Sequence, residues 1–194
     1  MKAVYIITRG FALIMVMFWA ALTLMLIANL NPKVQKELEI QKSMGSLNVF
    51  VSWPQVNADV DVWAMGPDEK APVGFTHLKG IQWTLNRDDL GFVNDGPANF
   101  ENITARKTSP GEYIINLFCF RCEGFLPLIV TVEVWKDNPL SLNNPVVLFK
   151  GNVTLTKNKQ EKTVISFRID GNDNVVPSSV LYNFKPLVSP GAKP

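Results

Sequence analysis

Val56-Asn57-Ala58-Asp59-Val60-Asp61-Val62-Trp63 is the stretch whose reading decides the fold, taken with Asn86-Arg87-Asp88-Asp89-Leu90-Gly91 about thirty residues later. In an extended strand alternate side chains share a face, so Ala58, Val60 and Val62 point into a core while Asp59, Asp61 and Trp63 point the other way. Two carboxylates that close repel unless something positive lies between them, and an aspartate-rich loop returning to the same place adds hard oxygen donors. Calcium is the cation such a donor set suits.

The same period of two extends outward from this stretch. Leu47, Val49, Val51 and Trp53 alternate with more polar positions until Pro54 ends the strand. After Asp59–Met65, the run Gly66-Pro67-Asp68-Glu69 has the residues a turn requires. Residues 73–78 and 81–86 read as a pair of strands, and residues 87–98, rich in Asp, Asn, Gly and Pro, as a long loop of the kind that is often functional. Further strands are expected over 100–105, 112–120, 126–136, 145–156 and 162–170. Eight or nine short strands with no second helical pattern predict an all-β fold, an antiparallel β-sandwich or jelly-roll-like domain over 47–170. Residues 171–194, with four prolines and few periodic apolar residues, read as an extended, loosely packed tail.

A different pattern precedes the sandwich. Residues 11–30, FALIMVMFWAALTLMLIANL, carry no charge, and at about 1.5 Å per residue they span a hydrocarbon core of roughly 30 Å. The run is longer than the apolar core of a cleaved signal peptide and Ala28-Asn29-Leu30 is a poor cleavage site, so it reads as an uncleaved transmembrane signal anchor in a lipid bilayer. Residues 1–10 form a short leader with Lys2 and Arg9, and residues 31–46 a polar stalk. Charge alone leaves the orientation open, because lysines lie on both sides. A leader this short is easily retained inside, which places the carboxy-terminal domain outside the cytoplasm, periplasmic or extracellular, where weak calcium sites are filled.

Composition removes several classes of function. A net charge of +2 with no basic run gives no nucleic-acid footprint. Eight of the seventeen acidic residues lie between Asp59 and Glu101, opposed there only by Lys70, Lys79 and Arg87, and that local acidity favours a cation site over a solvated face. With His77 the single histidine, a structural zinc site lacks ligands, and no G-x-S-x-G or nucleophile–base pair points to catalysis. Cys119 and Cys122 form C-F-R-C at the expected tip of a hairpin: a disulfide if the domain is exported, two inert thiols if it is not. The sequons at Asn102 and Asn152 receive no role, and the tryptophans are first of all core residues, although Trp63 shares the aspartate face and could line a sugar or protein surface.

Four motifs lie along the domain: Asp59-Val60-Asp61-Val62-Trp63-Ala64-Met65-Gly66-Pro67, Arg87-Asp88-Asp89-Leu90-Gly91, Asn99-Phe100-Glu101 and Pro110-Gly111-Glu112-Tyr113. In this the chain resembles a family of small bacterial and phage-encoded membrane-anchored sandwich modules with D-x-D-x-W-x-x-G-P, R-D-D-x-G, N-x-E and P-G-x-Y patterns. These are similar in turn to bacterial pre-peptidase carboxy-terminal domains, several of which bind calcium through early aspartates. The resemblance implies a ligand set drawn from Asp59, Asp61, Asp88, Asp89 and Glu101, with Asn57 or Asn99 as carbonyl donors; the competing reading makes Asp88 and Asp89 turn residues with Arg87 as counter-ion. The function expected is that of a non-catalytic binding or assembly module with a cell-surface ligand. The alternative is a structural accessory subunit whose helix packs among other membrane-protein subunits.

Overall fold

A computed structural model describes residues 14–23, 25, 45–92, 99–138 and 145–188. The chain divides into two compact units, Met1–Ile40 and Gln41–Pro194. In the first, residues 14–23 are helical and all are exposed, with apolar side chains on every side. Thr23 donates its hydroxyl to the carbonyls of Trp19 and Ala20, both at 2.9 Å, so its polar atom is satisfied within the helix. Among the described residues no helix is long and apolar enough to cross a membrane. The leader, the rest of the apolar run and stalk residues 31–44 lie outside the described residues.

The second unit holds eight described strands: β1 Leu47–Trp53, β2 Asp59–Met65, β3 Trp83–Arg87, β4 Asn99–Ala105, β5 Gly111–Arg121, β6 Leu128–Lys136, β7 Val146–Leu155 and β8 Glu161–Ile169. They form two antiparallel sheets, ordered β3-β4-β1-β6-β7 and β2-β5-β8, with a β-sandwich architecture. Register follows the period-two pattern. Val49 lies opposite Ile103 on β4 and Val134 on β6, and Val51 opposite Val132. From the smaller sheet Val60, Val62, Ala64, Ile115, Leu117 and Ile165 join them in one core. All eight strands and the whole core fall within Gln41–Pro194, so this unit has what it needs to fold without the first forty residues.

The expected strand over residues 73–78 is not one. Val73 makes a single bridge to Ala64, and Gly74 and His77 close a turn, because the backbone here approaches the Trp63 ring so closely that a Cβ at Gly74 would collide with it. Phe75 then meets Trp63 edge-on and covers the ring of that residue, which shares the aspartate face of β2.

Residues 171–188 turn at their start, form a short 3-10 helix at Pro177–Ser179, and are held along β8. Val175 bridges Ile169 and Leu181 bridges Ser166; Arg168 N–H donates to Ser179 Oγ, Lys185 N–H to Thr163 Oγ1 and Leu187 N–H to the Glu161 carboxylate. Backbone and polar side chains hold this segment, which is why its sequence lacks apolar periodicity.

The connections β1–β2, β3–β4, β5–β6 and β7–β8 gather at one end of the sandwich; β1 enters at the other. At the entry end Tyr113 is buried, its hydroxyl accepting from Ser109 N–H (2.7 Å) and donating to Ser109 C=O (2.8 Å). Gly111, at φ +146°, lies against Pro67, so the G-P and P-G-x-Y motifs meet as one turn lock.

Candidate metal centre

The remaining motif residues meet at the loop end. β2 is an outer strand, and its Val62 N–H points away from β5; Glu101 reaches from β4 in the other sheet and accepts that proton through Oε2 at 2.6 Å. Asp61, next to Val62, and Asp88, at the start of the β3–β4 loop, complete the group. Asp61, Asp88 and Glu101 each offer a carboxylate oxygen, and the three oxygens lie within 4.8 Å of one another. Asp61 and Glu101 are buried while Asp88 is exposed, giving the cluster an open side. Asp59 stands two residues along the same face of β2 as Asp61, opposite Arg121 of β5.

Buried oxygens in native proteins are almost always hydrogen-bonded. Here Asp59 Oδ1, Asp61 Oδ2 and Glu101 Oε1 are buried with no hydrogen-bond partner among the described residues. The titration behaviour reflects this. Burial, with the charges of Asp88 and Asp89 and against that of Arg121, pushes Asp59 up to about 6. Burial and the charges of Asp59 and Asp88 push Asp61 up to about 8. Burial and the Asp61 carboxylate hold Glu101 well above the usual range, against the pull of the Val62 N–H. Such a cluster sheds its repulsion by holding protons or by holding a cation. All-carboxylate donors are of the kind a hard cation takes, and Asp61, Asp88 and Glu101 are the residues that could hold one, with Asp59 beside them.

Asp89 is not brought into this group. Its Oδ2 accepts from Arg87 Nη2 (2.9 Å) and Phe100 N–H (3.0 Å), and its Oδ1 from Gly91 N–H (3.0 Å), so it clamps the two ends of the loop. Gly91, at φ +68°, lies where a Cβ would strike the Ala58 carbonyl oxygen. Asn57 is exposed and its Oδ1 accepts from Arg121 at 3.4 Å. Asn99 donates to the carbonyls of Pro54 and Val56, closing the β1–β2 turn. Cys119 and Cys122 are bonded to each other, and Cys122 Sγ lies 3.7 Å from the Asp59 carbonyl oxygen.

Three contributors were missed by sequence reasoning: the Val62 N–H, Arg121 and Lys159, whose positive charge acts on Asp59 and Asp61. The first is a backbone group that any residue supplies. The other two come from elements sixty to a hundred residues away, and no local pattern marks them. No family model, no curated protein and no solved structure matches the chain.

Proposed function

We propose that this protein is a single-pass, membrane-anchored, non-catalytic binding module whose sandwich lies outside the cytoplasm and is tied together by calcium. One observation carries the calcium: Asp61 on one sheet and Glu101 on the other hold buried, unpartnered oxygens within ligand distance of exposed Asp88. An ion there joins the two sheets and the long loop. The bonded cysteines and the exposed apolar helix support export and anchoring. Binding is favoured over an accessory role because the acidic end is the one opposite the entry of β1 into the domain.

The test is thermal unfolding of residues 41–194 with calcium and with chelator. For a weak site with a dissociation constant of about 0.1 mM, millimolar calcium stabilises the fold by about 1.4 kcal/mol. That raises the melting temperature by several degrees, and Asp61→Asn abolishes the rise. An unchanged melting temperature across the titration overturns the reading.

A further inference from the structure

A hard cation of this class takes about six to eight oxygens. Glu101 has already committed one oxygen to the Val62 N–H, so it offers the ion only the other. With single oxygens from Asp61, Asp88 and Glu101, coordination is incomplete, and the open side is the one where Asp88 meets solvent. Large apolar side chains stand exposed on loops of the same end. Leu90 and Phe92, on the loop that carries Asp88, are 47% and 49% exposed, and Phe125 on the β5–β6 turn is 37% exposed. The same end carries exposed bases, together with a further exposed acid, Glu123, which accepts from Asn158. Arg121 donates to the Leu90 carbonyl at 2.7 Å and lies over the Phe92 ring; Lys159 on the β7–β8 turn lies over Phe120, with Lys157 nearby in the same turn.

Resting on the cation reading above, we propose that this loop end docks on a bilayer of anionic phospholipid, a headgroup phosphate completing the coordination of the ion. Charge complementarity selects this occupant. Without the ion the acidic cluster repels phosphate; with it, the cation and the neighbouring bases present positive charge at headgroup depth, while Leu90, Phe92 and Phe125 are the tips that reach the acyl boundary. A small soluble anion would use the ion and the bases but would leave the apolar tips in water.

The test is co-sedimentation of residues 41–194 with vesicles of one part phosphatidylserine to three parts phosphatidylcholine, in millimolar calcium and in chelator, alongside calorimetric titration with calcium. Calcium increases pelleting at least about tenfold over chelator, the equivalent of one decade in affinity. Vesicles of phosphatidylcholine alone do not support it. The double variant Leu90→Ser, Phe92→Ser loses pelleting while its calcium titration matches that of the unaltered fragment. If calcium binds but the fragment stays in the supernatant, the docking proposal falls and the metal site stands. If O-phosphoserine binds the calcium-loaded fragment without any pelleting, the bilayer is overturned as the source of the phosphate. Equal pelleting with phosphatidylcholine alone overturns recognition of the anion, and a flat calorimetric trace removes the cation reading together with this one.

Discussion

Asp88 and Asp89 are neighbours in sequence with opposite surroundings. Asp88 faces solvent beside two buried carboxylates, whereas Asp89 is buried among three donors. Asp88→Asn should therefore weaken calcium binding at little cost to stability in chelator. Asp89→Asn should leave calcium affinity nearly intact but cost about 1–3 kcal/mol, because it removes a buried charged acceptor. Denaturant unfolding and calorimetry on both variants separate the two roles; equal effects on calcium affinity would refute the division. Titration supplies a second check. Asp59 and Asp61 are raised to about 6 and about 8, so in chelator the folded state holds more protons than the unfolded state above the ordinary carboxylate range. Stability is then fully present below about pH 4 as far as these groups decide it, and is lost as pH rises towards 8. Melting temperature in chelator should fall from pH 5 to pH 8, and saturating calcium should flatten that slope. A rising slope in chelator would mean that the carboxylates are satisfied in some other way. The residue types of this site are legible in the sequence, but which of two adjacent aspartates joins the cluster is not, since that depends on where Phe100 N–H and Arg87 fall in the fold.

The strands show the same division between pattern and packing. Eight of the nine expected strands are found within a few residues of their predicted bounds, because alternating apolar residues bounded by Pro, Gly and Asn leave one choice of face. The expected strand over 73–78 was lost to tertiary contact: its glycine is spent on approaching Trp63 and its phenylalanine on covering that ring. The outer strands of the smaller sheet are both managed. β2 is covered by Val73 and capped by Glu101, and β8 by the carboxy-terminal segment. Cutting the chain after Asn174 removes the β8 cover and leaves the Glu161 carboxylate without the Leu187 and Val188 N–H donors. The truncated 41–174 fragment should melt several degrees lower and associate through the bared strand, as read by calorimetry and size-exclusion chromatography. If it stays monomeric with an unchanged melting temperature, the segment is an ornament and not a cover.

For the whole molecule, the proposed topology is tested by adding protease to intact spheroplasts of a bacterial host expressing the full chain: the domain should be digested from outside, and protection until lysis would reverse the orientation. By itself the sequence determined an all-β domain with antiparallel sandwich patterning, preceded by an uncharged run of twenty residues, and an acidic concentration around Asp59 and Asp61. It could do so because periodicity, turn chemistry and charge density are local properties, readable within a window of a few residues. Only the tertiary structure decided that Glu101 crosses from the larger sheet to the outer strand of the smaller one, and that Asp89 serves the loop and not the cluster. It also decided that the G-P and P-G-x-Y motifs are halves of one lock, and that the acidic end lies opposite the entry of β1. The physical reason is that strand order and sheet packing decide them: the Glu101 and Gly111 contacts join residues dozens of positions apart, the acidic end is placed by topology, and the Asp89 contacts depend on how β3 and β4 hold the two ends of their loop, so none leaves a local pattern in the chain.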